Sequence, residues 1–506
     1  MRDSGHMRLV YCALILAGCS TEFSPKPCAV DGDCASGDVC ETRAVDNTSA
    51  PVCVKAEDAA IHIGQSAPVS GTNQQLGTDM KLGVELAFKE QNDAGGIRGR
   101  QLVLDFRDDA YDPPTAEQAA RVFTDVVSSS DAPRCPSTTT PEPDGHGNTT
   151  AISTTAMTRG PNAVLAFLGN VGTPTMIRAA PVALETGTVY FGAFTGADKI
   201  LRDMTAGDCA KFVFNIRAGY DQEAQATMDL FKKRGITGYA NLISFDQKDT
   251  FGDAGYTGMK AAYEVDYAPL TGSQTIQRFQ YIRNDPTSVP AQAALAQAYI
   301  ANVLSSTTGT QPFGIMMTDT YGAGSQFIQL LRQWQFDGQQ ATLDKPNRLK
   351  LYFSNVSFVG PNALSSNLVA MQTIATPAGA MPFTQDVYVS QVVPNYQNDT
   401  SDIVQAYNAV IAAAGKSPSF TSLEGYIDAK LFIQGLLAHD GPFTSESLID
   451  SFEKLPQLSL GLGATAGFSK SNHTYSSSVW GTSIMPTGDF KNLYFWSTGN
   501  AIQFFE

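Results

Sequence analysis

Two threonines carry the chemistry this sequence offers most plainly, Thr173 and Thr195, each in a glycine-flanked loop after a short apolar run. The stretch around them, residues 161–198, is PNAVLAFLGNVGTPTMIRAAPVALETGTVYFGAFTGAD and reads strand, glycine loop, helix, strand, loop. Ala163 to Leu168 stops at Gly169, the pattern of a strand buried on both faces. Gly169 and Gly172 free the backbone to turn tightly, and Thr173 is expected to cap a helix from Pro174 to Glu185, with Pro174 suited to its first position. Gly187 ends that helix, Val189 to Ala193 forms the next strand, and Thr195 follows at its carboxyl end. Both loops therefore leave one edge of a parallel sheet, where open α/β folds hold ligands and a helix amino terminus favours an anion. An ordinary βαβ unit with glycines for packing fits the same residues.

Catalytic patterns are missing from the chain. It has no Gly-x-Ser-x-Gly, no His-Glu-x-x-His and no Gly-x-x-x-x-Gly-Lys-Ser/Thr phosphate loop, and its histidines are scattered at His6, His62, His146, His439 and His473. GLGATAG at 461–467 imitates a dinucleotide loop but leads into FSKSN rather than a helix, so it reads as a hinge or turn. The expectation is a binding protein, not an enzyme, with no cofactor and no metal.

The elements that must position the threonines belong to a long chain. Its 506 residues suffice for two or three domains, and 43% hydrophobic with 16% charged residues is a soluble globular composition. A net charge of -15 argues against nucleic acid and against electrostatic docking on anionic lipid. At the amino end, Arg2 and Arg8 precede an apolar run, Leu9 to Ala17, too short for a membrane span but long enough for a signal-peptide core. It ends in Leu16-Ala17-Gly18-Cys19, which resembles the lipobox of bacterial lipoproteins. That resemblance implies a signal peptide over 1–18, lipidation of Cys19, and an exported, membrane-anchored chain, periplasmic or on the cell surface. Ser20, where an Asp would resemble an inner-membrane retention signal, tilts the expectation towards the outer membrane.

Residues 19–58 form a Cys-rich segment with hardly any apolar residues to bury, so it must be held by cross-links. Cys28, Cys34, Cys40 and Cys53 are expected in two disulfides of unreadable connectivity; zinc is the rival, though there is no close Cys-x-x-Cys pair and no nearby His. Asp31 and Asp33 fit turn formation, with calcium as the other reading. The pattern resembles short cysteine modules near the start of surface lipoproteins, which implies a spacer. Cys135, in the polar insertion Ser128 to Asn148, and Cys209, in another loop, are expected to pair once export oxidises them.

From Ala60 onward strand and helix patterns alternate. Strands are expected near Ile61–Ala67, Leu102–Phe106, Phe212–Ile216, Ala240–Phe245, Phe279–Ile282, Phe313–Met317 and Leu349–Ser354. Helices are expected over Thr78–Asn92, Thr115–Val127, Asp221–Arg234, Ala254–Val265, Ala291–Leu304 and Ser325–Trp334, with a short one from Pro361. This is an α/β fold of parallel sheets covered on both faces, with too many strands for one sheet. Val479–Met485 and Leu493–Trp496 read as a terminal hairpin.

The opening IHIGQSAPVSGTNQQLGTDMKLGVELAFKEQNDAGGIRGRQLVLDFRDDAYDP, followed by FLGNVGTPT, GAFTGADKI, FNIRAGYDQE, DTFGDAG, NVSFVGPNAL and TSLEGYIDAKLF, resembles type I periplasmic solute-binding proteins of the leucine/isoleucine/valine-binding group. The resemblance covers about Ala60 to Trp496. It implies two Rossmann-like lobes joined by three crossovers and closing on a ligand: lobe one over 60–218 and 393–463, lobe two over 219–392 and 464–506. It further implies a small polar, carboxylate-bearing solute, a branched-chain amino acid or related compound, held by a monomer that delivers it to an ABC permease. The alternative is a ligand sensor that signals through a partner membrane protein.

Site residues follow from the resemblance position by position. Thr173 and Asn170 would meet the ligand carboxylate; Ala193 and Thr195 would supply a carbonyl and a hydroxyl; Asp221 is the acid at the first crossover. Phe251 would line the second lobe and Tyr321 would close on an amino group. Ser357 stands where amino-acid binders carry the glutamate that pairs with the ammonium, with Asp319 or Glu424 as substitutes outside the motif, and Leu76 replaces a common aromatic lid.

Overall fold

The computed structural model describes residues 26–29, 31–41, 52–55, 60–129, 133–135, 141–143, 149–151, 156–160, 162–197, 207–456, 461 and 466–505. The expected signal peptide, Cys19 and most of GLGATAG lie outside them. In the amino-terminal segment Cys28 pairs with Cys40 and Cys34 with Cys53, which supplies the connectivity that spacing left open. The bridges hold an antiparallel hairpin, Asp38–Glu41 against Val52–Lys55, that has almost no core of its own.

The first sheet is built from β1 (Ile61–Ala67), β2 (Leu102–Asp108), β3 (Ala166–Leu168), β4 (Val189–Phe191) and β5 (Val213–Phe214), all parallel, in the order β5-β4-β3-β1-β2. Its helices are α1 (Gln74–Asp93), α2 (Pro113–Phe123) and α3 (Thr173–Glu185). The observed α3 differs from expectation at its start. Gly172, at φ 106°, is the N-cap and Thr173 is already helical, because the loop turns through a conformation that only glycine adopts cheaply. Pro181 lies inside α3 and does not end it.

The second sheet repeats the plan. After α4 (Tyr220–Lys233) come β6 (Leu242–Gln247), α5 (Thr250–Asp266), β7 (Gln277–Tyr281), α6 (Val289–Ser306), β8 (Gln311–Thr318), α7 (Tyr321–Phe336), β9 (Leu349–Asn355), α8 (Pro361–Ala370) and β10 (Val387–Gln391). The parallel order is β7-β6-β8-β9-β10, extended antiparallel by β11 (Val479–Ile484), β12 (Phe490–Trp496) and β13 (Gln503–Phe504). In each sheet the first strand sits between the second and third, so each has one switch point where successive crossovers diverge. Those points are β1/β3 and β6/β8. The fold class is thus the expected one, two parallel α/β sheets flanked by helices.

Between β10 and β11 the chain returns to the first sheet through α9 (Asp402–Ala413), α10 (Phe420–Ala438) and α11 (Ser445–Glu453). Helix α10 lies so close to α1 that a Cβ on Gly83 would fall 2.1 Å from the Ser422 carbonyl and one on Gly425 would fall 2.5 Å from that of Met80. Phe468 then packs on Phe191 and Phe214, and Asn215 bridges to Thr474, so the chain stays with the first sheet past the expected boundary at 463 and rejoins the second at Val479. Cys135 and Cys209 are joined, tying the insertion after β2 and α2 to the segment before β5.

Candidate functional site

The carboxyl ends of β3 and β4 bring the two threonine loops together. The Thr173 and Thr195 hydroxyls lie 2.5 Å apart, both fully buried, and Phe194 N–H donates to the Asn170 carbonyl at 2.8 Å. Asn170 Oδ1 accepts from Ser66 N–H at 3.3 Å, and the Ala193 carbonyl accepts from Thr195 N–H at 2.8 Å. Two hydroxyls beside the amino terminus of α3 form a polar point suited to an anionic oxygen. The loops also present bare backbone to aromatic rings. A Cβ on Gly172 would fall 2.4 Å from the Tyr111 ring, and one on Gly196 would fall 2.6 Å from that of Tyr220.

The second sheet contributes an aromatic face. Phe251, fixed in the first turn of α5 by Asp249 Oδ1 accepting its N–H at 3.0 Å, packs on Tyr220 at 5.4 Å and on Phe358 at 4.7 Å between ring centroids. Phe358 also meets Phe194 at 5.1 Å and Tyr111 at 6.0 Å, so one ring touches aromatics from both sheets. Further along the seam Tyr321 Oη accepts from Gln75 N–H at 3.4 Å, and a Cβ on Gly360 would fall 2.8 Å from Leu76 Cδ2. Asn284 Oδ1 accepts from Asn73 Nδ2 at 2.8 Å. The two halves are closed against one another.

Ser357 is placed otherwise than expected. Its hydroxyl accepts from Arg217 and donates to Glu223 Oε1 at 2.9 Å, while its N–H donates to Glu223 Oε2 at 2.7 Å. Ser390 Oγ donates to the same carboxylate at 2.6 Å. Arg217, on the crossover after β5, lies 3.5 Å from Glu223 and 3.4 Å from Glu424, with its guanidinium 4.7 Å from the Phe194 ring centre. Asp221 accepts from Gln222 Nε2 at 2.6 Å, and the acid that meets Arg217 is Glu223, two residues on. Burial works against the Arg217 charge, but Glu424 and Glu223 outweigh it and raise its pKa. Burial raises Glu223 and, joined by the Glu424 charge, holds Asp428 well above the usual carboxylate range. Asp319 is fully buried at the end of β8 and neither of its oxygens has a hydrogen-bond partner among the described residues.

Sequence reasoning missed Tyr111, Phe194, Arg217, Tyr220, Glu223 and Phe358. Phe194 and Phe358 adjoin residues it did single out, and a polar motif gives no sign that the neighbouring ring faces the seam.

A profile described as "Periplasmic binding protein" matches residues 60–127 and 144–489. The chain belongs to the periplasmic binding protein family. The family binds solutes rather than transforming them, in keeping with the absence of catalytic motifs. A relative named Leu/Ile/Val-binding protein homolog 8, from Brucella abortus (strain 2308), is 22% identical over 430 residues, 84% of this chain and 88% of its own. A crystal structure described as a possible leucine/isoleucine/valine-binding protein from Rhodopirellula baltica SH 1 superposes with a TM-score of 0.64 at 26% identity, covering 87% of this chain and 98% of that one. A fatty acid ABC transporter substrate-binding protein from Thermomonospora curvata gives 0.62 at 15% identity over 87% and 93%. This periplasmic binding protein therefore shares its fold with proteins described for amino acids and for fatty acids, and the fold does not select between them.

Proposed function

We propose that the chain is the exported, Cys19-lipidated substrate-binding component of an ABC importer, capturing a small carboxylate-bearing solute between two lobes by hinge closure. The observation that carries this reading is the pairing of the Thr173 and Thr195 hydroxyls on loops next to Phe194, whose ring meets Phe358, which in turn meets Phe251. Hydroxyls and a helix amino terminus receive the acid; the rings of Phe194, Phe251 and Phe358 receive an apolar body, as a branched-chain amino acid or related acid would supply. Closure is favoured by a ligand that touches both sides at once. Each lobe is one sheet with its helices.

A thermal-shift screen against amino acids, short peptides and amine-free carboxylates tests the proposal, because a ligand of the closed form raises the melting temperature. A hit among the acids, lost when the carboxylate is amidated, is the expected result. Stabilisation only by uncharged sugars or by cations would sink it.

A further inference from the structure

A second polar site lies at the opposite end of the first sheet. A cavity of about 410 Å³ opens at the amino ends of β1, β3 and β4, lined among others by Ile61, Leu165 and Gly187, while the solute loops leave the carboxyl ends. Arg100, Arg134 and Arg159 converge on it, and Glu446 is the one carboxylate among its lining residues. Glu446 is already engaged by Lys211 Nζ at 2.9 Å and lies 3.8 Å from Arg134. A second space of about 270 Å³ shares Arg134 and Arg159 with the first. Its acid, Glu185, is occupied by the backbone N–H groups of Arg134 and Cys135, at 2.7 and 2.8 Å.

Arg159 is the telling residue. Among the described residues its guanidinium donates only to the neutral carbonyls of Ala163 and Val164. Burial draws its pKa down to about 10 with no carboxylate opposing the shift. A largely buried cation with no carboxylate partner among the described residues is costly, and here it stands in a chain of net charge -15. The Cys-rich module closes one side of the cavity through Ala29 and Cys40.

We propose that this cavity is a binding site for a phosphate group, held by Arg134 and Arg159 with Arg100 beside them. Planar guanidinium forks match phosphate oxygens, and three cations suit a dianion better than a single carboxylate. The phosphate has two possible sources, free in solution or on a lipid headgroup. If Cys19 is acylated, the ten residues to Ala29 span at most about 35 Å, which leaves the cavity within reach of the headgroups.

The test uses the full chain carrying Cys19→Ser, titrated calorimetrically with inorganic phosphate and, separately, with vesicles of phosphatidylcholine alone or mixed with phosphatidic acid. Saturable phosphate binding that weakens at least tenfold in both Arg134→Gln and Arg159→Gln is expected. Binding to phosphatidic acid vesicles but not to phosphatidylcholine, with the same dependence on the arginines, supports the site with a lipid as its source. Absence of binding to both probes, or binding that neither substitution weakens, overturns it. If Arg159→Gln fails to fold, Arg134→Gln, on a more exposed side chain, decides the matter.

Discussion

The side-chain oxygen of Thr173 lies 2.5 Å from that of Thr195, so two hydroxyls on separate loops share one hydrogen bond. The proposed acid ligand would replace that bond with its own. Hydrogen bonds to a charged group contribute about 1.5–3 kcal/mol. Thr195→Ala is therefore expected to weaken the best acid found in the screen by roughly 10- to 100-fold, measured by calorimetry, with Thr195→Ser close to the parent. Thr173→Ala should act non-additively with it, because the two side chains share a partner.

Phe358 joins aromatics of both sheets and is fully buried. Removing the ring leaves a cavity, and Phe358→Ala should lose about 3–5 kcal/mol in urea unfolding. Acids with a larger apolar body should restore part of that loss by occupying the vacated space, which a shift in the rank order of thermal-shift hits would reveal.

Arg217 is the cation facing Glu223, Glu424 and Asp428. Arg217→Met leaves buried acids without it and should cost about 3–5 kcal/mol. Adding Glu223→Gln should return part of the stability, since one stranded charge is removed. If the double variant is no more stable than the single one in denaturant melts, the coupling is not as described.

Asp109 gives stability a pH dependence. Burial raises its pKa to about 7, against hydrogen bonds from Ser66 Oγ at 2.6 Å and Tyr111 N–H at 2.9 Å. A carboxyl raised in the folded state binds its proton more tightly there, so its contribution is complete below the unfolded value of 3.8 and is lost as pH rises through about 7. Asp246, raised to about 6 chiefly by burial, adds to the same trend. Asp109→Asn should gain stability relative to the parent from pH 4 to pH 8, at a slope of up to about 1.4 kcal/mol per pH unit. Melting temperatures of both proteins across that range check it.

Much of the fold was legible because its signals are local. Apolar runs of strand length, glycine stops and helical periodicity mark β1, α1, β8 and α7 with boundaries shifted by only a few residues. The hairpin of β11 and β12 was legible too, from its turn residues. Strand β10 and the helices α9 to α11 were not separately resolved. Helix α10 is almost entirely buried, so it has no polar face to set a period.

The amino-acid sequence by itself determined the α/β class, the doubled plan and the two threonine loops, because each rests on residue type and short spacing; the pairing of Cys135 with Cys209, 74 residues apart, was legible from the loops that hold them. Only the tertiary structure decided which side chains face the seam. Ser357 and Phe358 are neighbours in sequence, yet the hydroxyl turns to Arg217 while the ring meets Phe194. That choice depends on a crossover after β5 and a helix more than two hundred residues further on, whose Glu424 reaches the same guanidinium. Burial makes such a long-range ion pair decisive, and no local pattern encodes it.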